Sequence, residues 1–306
     1  MEEIKDFEKF YNTKLKPILS DLKLQNSDAS GWRVASLIFL MFAIVCFFLS
    51  QIIVGISLLI FVLISIYKYK KKKTIFIKSF KETVTGEVIK YLETGLIYKP
   101  DEYISPVDYE KSSLFRKIYD NYNGSGFISG YSNNVNFFCS ELETSYEKLP
   151  GGSAVATIFR GLFFAIPLKI YFTGAIYIWP KGDEQLTKSF VDDYYSLFPL
   201  GEVYSIHLND SVFENIFSVY STHPENIAPF IDYEFREVLI NLVKQLRKEI
   251  RFSIVGGICY LSISINNVLL KPSFSNTENI ELAKEYYFSV QLILNVISQL
   301  NLKRFV

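Results

Sequence analysis

From Val34 to Ile66 the chain runs 33 residues without a charged side chain, and its clearly polar members are Ser36, Ser50, Gln51, Ser57 and Ser65. Lipid is the natural solvent for such a run. A helix needs about 20 apolar residues to cross about 30 Å of hydrocarbon at about 1.5 Å per residue. One helix over the whole run would reach roughly 50 Å on the same arithmetic, and fits only if steeply tilted. The polar pair Ser50-Gln51 falls in the middle. The pattern therefore predicts two short antiparallel spans with a turn at that pair, in preference to one long helix, with Gly55 loosening the second span. Trp32, Arg33, Tyr67 and Lys68 extend both arms to headgroup level.

Ahead of this segment Ile4, Phe7, Tyr11, Leu15, Ile18 and Leu22 recur at spacings of three and four, the mark of an amphipathic helix. Pro17 should kink or divide it. Its apolar face fits packing on the expected cytoplasmic domain better than a coiled-coil seam between subunits, because the repeat is too short to persuade. Beyond the apolar run, Thr74 to about Tyr98 reads as helix, and the stretch with Pro100 and Pro106 reads as a connector before a second helical piece.

From Gly124 the pattern changes to short β-branched and aromatic runs broken by turn residues. VNFFCSELETSYEK, ATIFRGLFFAIPLK, GAIYIWPKG, GEVYSIHL, FENIFSVYS, RFSIVGG and CYLSISI are expected strands, with a turn at Pro150-Gly151-Gly152. Helices are expected at Glu184 to Leu197, Glu225 to Phe230, Glu234 to Lys248 and Thr277 to Leu302. Strands and helices are segregated more than alternated. The fold class is α+β: a two-span helical hairpin followed by a mainly antiparallel sheet with flanking helices. The expected divisions are an N-terminal amphipathic helix over residues 1–31, the hairpin over 32–67, a basic flank, helix and connector over 68–123, and the α+β domain over 124–306.

Charge sets the orientation. YKYKKKK, Tyr67 to Lys73, places five lysines at the end of the second span. Positive flanks stay in the cytoplasm, so both termini and the α+β domain are expected there, with the hairpin in the inner membrane as a multi-pass anchor. A cleaved signal peptide is disfavoured, since the apolar run starts 33 residues in and lacks a basic region before it. Lys68, Lys70, Lys71, Lys72 and Lys73 could also meet anionic lipid headgroups. The expected partners are the bilayer itself and either such headgroups or a protein. Thirty-two basic and 32 acidic residues cancel, which leaves no global field for nucleic acid. Cys46, Cys139 and Cys259 stand alone, an odd set without a CxxC pair, as suits a reducing compartment without disulfides or a zinc site.

Candidate chemistry is sparse, and no cofactor is expected. His207 and His223 lack partners at metal-ligand spacing. LPGGSA and NGSGFISGYSNN match neither GxxxxGK[ST] nor a full GxGxxG ahead of a helix, and read as turns. Asp192 with Asp193, and Glu234 with Glu237, read as solvated helix faces rather than acid/base pairs. The span carries no ionisable residue to mark an ion path. A non-enzymatic binding or scaffold role is thus the leading expectation. The alternative is a membrane-tethered, hydrolase-like enzyme with a site of carboxylates, Tyr and Ser.

IFRGLFFAIPLKIYFTGAIYIWP, from Ile158 to Pro180, FSVYSTHPENIAP, from Phe217 to Pro229, and FSIVGGICYLSISINNVLLKPS, from Phe252 to Ser273, agree in order and spacing with a known family. In these residues the chain resembles the bacterial membrane proteins of unknown function catalogued as DUF3137. The resemblance implies an N-terminal helix, two adjacent spans and a C-terminal α+β region. It implies no activity and no catalytic residue. ENIAPF stands where family members tend to have an acidic residue, alanine and arginine, and Lys271 replaces the usual acidic residue near LKPS.

Overall fold

The computed structural model describes residues 2–115, 117–148, 154–169, 172–182, 203–265, 280–300 and 302. The expected helix at Glu184 to Leu197 and the turn at Pro150 to Gly152 lie outside the described residues. The chain divides into two compact units, Met1–Leu92 with Leu270–Val290, and Glu93–Leu269 with Gln291–Val306.

The first unit is helical. Helix α1 (Glu2–Phe10) passes through a π turn at Tyr11–Leu15 into α2 (Lys16–Phe48). Helix α3 (Ile52–Phe80) passes through a second π turn, Lys81–Thr85, into α4 (Gly86–Leu92). The first π turn answers Pro17. Proline has no N–H to donate and its ring collides with the carbonyl four residues back, so the backbone widens just before it and the Lys16 N–H reaches Tyr11 O.

The two arms are antiparallel and keep one register throughout. Phe10 stacks on Tyr91 with ring centroids 4.2 Å apart, Lys68 Nζ lies 4.2 Å from the Trp32 ring, and Phe39 meets Phe61 at 5.7 Å. Every pair straddles residue 50, where the chain reverses. The predicted break at Ser50-Gln51 is therefore the turn itself. Toward the open end Phe7, Phe10, Leu15, Phe76, Phe80, Val84 and Val88 are buried. Tyr286 and Tyr287 of α8 (Ile280–Gln299) pack there, Tyr287 against Phe7 at 5.2 Å and Tyr286 against Phe80 at 5.4 Å. Phe7, Phe10, Tyr11 and Leu15 of the amphipathic face are thus buried against their own chain.

The second unit holds a nine-stranded antiparallel sheet, formed by β1 (Leu96–Lys99), β2 (Asn121–Ser132), β3 (Val135–Glu147), β4 (Val155–Pro167), β5 (Ala175–Pro180), β6 (Tyr204–Ile206), β7 (Phe217–Ser221), β8 (Ile250–Val255) and β9 (Ile258–Ser264). The order is β1-β2-β3-β4-β9-β8-β5-β7-β6. The α+β class is as the sequence predicts. Strands β1 to β4 follow one another as a meander, and the β8–β9 hairpin is then inserted between β4 and β5.

The helix expected to run to Tyr98 stops at Leu92, and Leu96–Lys99 pairs with β2 as an edge strand. NGSGFISGYSNN is a strand rather than a string of turns; only Asn133-Asn134 turns, with φ of 50° and 65°, as a two-residue hairpin demands. Gly126, with φ of 73°, takes the left-handed residue at the bulge between Ser125 and Ile128.

One sheet face is covered by α5 (Pro106–Ser112), which starts at Ser105: its Oγ accepts from the Asp108 N–H at 3.1 Å and donates to Asp108 Oδ2 at 2.7 Å. A short helix α6 (Ser211–Glu214) and α7 (Tyr233–Leu246) follow β6 and β7. Phe235 of α7 packs on Phe252 of β8 at 4.9 Å, and Gln299 of α8 donates to Gln245 Oε1 of α7 at 3.3 Å. The helix expected at Glu225 to Phe230 is only a 3-10 turn at Pro224–Asn226.

Candidate functional site: an apolar hairpin with a cationic collar

Ser30–Phe48 and Ile52–Leu92 are each long and apolar enough to cross a membrane. In a water-soluble bundle such helices would turn their apolar side chains inward. Here they point outward: Met41 is 69% exposed, Phe48 86%, Ile53 86% and Leu63 67%. A contiguous exposed apolar surface of this extent marks an interaction site. Ala43, Gly55 and Val62 are the buried seam between the arms.

The tip is fully specified. Ser50 takes the left-handed conformation with φ of 58°, its N–H donates to Phe47 O at 3.1 Å, and the Gln51 N–H donates to Cys46 O at 2.9 Å. These are the two bonds of a Schellman C-cap, so carbonyls that a helix end would leave exposed are bonded. Gly55 does not loosen the second arm. A Cβ there would meet the Phe47 ring at 3.0 Å, so the missing side chain is what lets that ring lie against α3.

The predicted flanking residues lie on the two arms at one level. Trp32 and Lys68 meet as a cation–π pair, and Lys73 Nζ lies 5.9 Å from the Tyr69 ring. Tyr67, Lys68, Lys70, Lys71 and Arg33 are exposed, while Trp32, Lys72 and Lys73 are half-buried. Sequence spacing missed the Trp32–Lys68 contact. The signal was there: both residues stand eighteen positions from Ser50.

The other candidates do not converge. The His207 side chain is 85% exposed, with Nδ1 3.8 Å from Glu214 Oε2. His223 Nδ1 lies 3.0 Å from Thr222 Oγ1, which also accepts from the Ala175 N–H at 2.8 Å. Glu234 sits in the first turn of α7, where a carboxylate complements the helix dipole, and Glu237 follows one turn on. Asp192, Asp193 and Lys271 lie outside the described residues, as does all of LPGGSA except Ala154.

Tyrosines and serines do gather under α5, yet their hydroxyls are engaged within the fold. Tyr109 Oη and Thr144 Oγ1 are 2.9 Å apart, Tyr122 donates to Ile104 O at 2.8 Å, and Ser253 donates to Ser112 O at 2.7 Å. Burial pushes the Tyr109, Tyr122 and Tyr260 phenols well above the ordinary range. Tyr119 is pushed up to about 12 by desolvation and by its hydrogen bond to Glu110. Burial likewise raises the Cys139 and Cys259 thiols. Tyr109 and Tyr260 belong to the apolar cluster under α5, and Tyr119 and Tyr122 pack against it.

The fold and this site define an α+β protein with an exposed apolar hairpin. Residues 157–302, from β4 through α8, match the family model described as a protein of unknown function (DUF3137), so that stretch is a domain of unknown function and the resemblance read from the sequence holds there. No curated protein matches the chain. Among solved structures, the crystal structure of the mycobacterial trehalose monomycolate transport factor A, TtfA, is similar over 72% of this chain and 93% of that chain, at 9% identity and a TM-score of 0.33. So loose a superposition carries no argument.

Proposed function

We propose that the protein is a non-enzymatic binding or scaffold protein of a bacterial inner membrane, anchored by the hairpin, with both termini and the sheet unit in the cytoplasm. The bilayer is its first partner; the lysine collar fits anionic headgroups, and the sheet unit is the platform for a protein partner. One observation carries the reading: the hairpin exposes apolar side chains all round, while the charged flank lies at its open end alone. Water would penalise that surface by about 25 cal/mol per Å². Lysine at one end only is the asymmetry that orients a span.

The test is topological. A periplasm-active reporter inserted at residue 51 should be active, and N- and C-terminal tags should be protected from protease in right-side-out vesicles. A cytoplasmic signal at residue 51 would overturn the reading. The full chain in mild detergent should also capture a partner stoichiometrically while hydrolysing neither phosphate nor ester substrates; robust turnover would move it to the enzymes.

A further inference from the structure

The apolar surface of the hairpin is short. On the first arm the exposed large apolar side chains run from Val34 to Leu49, and on the second from Ile52 to Ile66. At about 1.5 Å per residue each stretch reaches about 23 Å, where an ordinary bilayer presents about 30 Å of hydrocarbon.

Both ends of that surface are pinned. At the open end Lys68 Nζ lies 4.2 Å from the Trp32 ring, so its ammonium is engaged with the other arm, and Lys70 and Lys71 stand exposed immediately beyond. At the tip stand Ser50 and Gln51, side chains too short to reach water from within hydrocarbon, and from Val34 to Ile66 there is no lysine, arginine, tyrosine or tryptophan to snorkel or to anchor at an interface. The rod between these ends does not lengthen. Phe39 meets Phe61 at 5.7 Å, and Ala43, Gly55 and Val62 close the seam, so the two arms hold each other in register. Tilting the pair only shortens its reach across the bilayer. Keeping the tip inside the hydrocarbon would strip water from Gln51, which is exposed. The lipid is what can yield.

Given the anchoring proposed above, on which this rests, we propose that the hairpin is matched to a thin bilayer, of about 23 Å of hydrocarbon, and that in a thicker membrane it thins the lipid around itself and gathers short-chain lipids there. The partner of the apolar surface is thus a particular class of lipid, with short acyl chains, and the lysine collar sets which face of the thinned zone the open end occupies.

The test uses the full chain carrying Phe42→Trp, which puts an indole on the exposed surface midway along the first arm. The protein is reconstituted in fluid vesicles of phosphatidylcholine and phosphatidylglycerol, in which an eighteen-carbon lipid brominated at mid-chain competes with unbrominated lipid of fourteen, eighteen or twenty-two carbons. Quenching of the new indole, after subtraction of that of the unmodified chain, gives the relative association of each chain length. The fourteen-carbon lipid should displace the brominated one at least about threefold better than the twenty-two-carbon lipid. Lengthening both arms by seven apolar residues, after Met41 and after Leu58, keeps the seam in register and should reverse that order. Equal association of all three chain lengths, or a preference for the longer ones, would overturn the matching while the quenching itself leaves the anchor in place. No quenching in any vesicle would overturn both. Should the lengthened variant fail to fold, the preference of the hairpin at its own length decides alone.

Discussion

Ser50 does at the hairpin tip what glycine does at many helix ends. A non-glycine residue in the left-handed region costs about 1 kcal/mol. Ser50→Gly should therefore raise the thermal midpoint of the detergent-solubilised protein, by an amount that corresponds to roughly 0.5–1 kcal/mol. Gly55→Leu has the opposite expectation: with the Phe47 ring 3.0 Å from a Cβ, a large side chain must part the arms near the tip, lowering the midpoint. Asp210 offers a pH test. Its carboxylate accepts from the Phe213 N–H at 3.1 Å and from Arg236 Nε at 2.8 Å, and these bonds hold it below the ordinary carboxylate value. A group whose folded value is depressed stabilises above its unfolded value and loses that stabilisation as pH falls through the folded one. Asp210→Asn should lower stability at neutral pH and flatten the acid limb of the stability profile; an acid limb identical to that of the unmodified protein would remove Asp210 from its cause.

At the scale of elements, the aromatic cluster under α5 determines how the sheet unit answers alkali. Tyr109 is stacked on Phe115 at 5.5 Å and meets Tyr122 edge-on at 5.4 Å. With folded values raised above the unfolded one near 10, these phenols stabilise fully below that pH, and the contribution is lost as pH rises through their folded values. The part of the tyrosinate absorbance that comes from these buried phenols should thus appear together with loss of near-ultraviolet dichroism above about pH 10. Tyr109→Phe leaves the buried Thr144 hydroxyl without its partner and should cost about 1–3 kcal/mol in denaturant unfolding. The elements also show where sequence is informative. The hairpin and its turn were legible because the absence of charge from Val34 to Ile66, with its polar break at Ser50-Gln51, is a local pattern carried by every residue of the run. Strand β2 was hidden because Gly124, Gly126 and Gly130 imitate loop composition, and β1 because it is only four residues long, Leu96–Lys99. The insertion of the β8–β9 hairpin between β4 and β5 joins segments some ninety residues apart, and nothing in either segment's own pattern names the other.

At the scale of the molecule, the proposed anchoring makes the lysine collar and the apolar surface act together. Replacing Lys70, Lys71, Lys72 and Lys73 by glutamate, with lysines introduced at the tip, should invert or mix the topology read by reporters, because orientation follows the distribution of Lys and Arg near the span ends. The Trp32–Lys68 contact ties the arms at that same level, so Trp32→Ala should reduce the difference in stability between anionic and zwitterionic nanodiscs.

The tip then bears on how the protein is made. Its polar groups are one serine, one glutamine and backbone carbonyls already bonded by the Ser50 and Gln51 N–H groups, with no charged residue between Val34 and Ile66. If the hairpin is the membrane anchor proposed above, both arms enter the bilayer as a preformed pair, carrying no ion and no folded domain through the hydrocarbon. Synthesis in a cell-free system should yield protease-protected hairpin when lipid vesicles are supplied without a translocation channel. A single lysine at position 51 should abolish that spontaneous entry while leaving insertion through a channel possible.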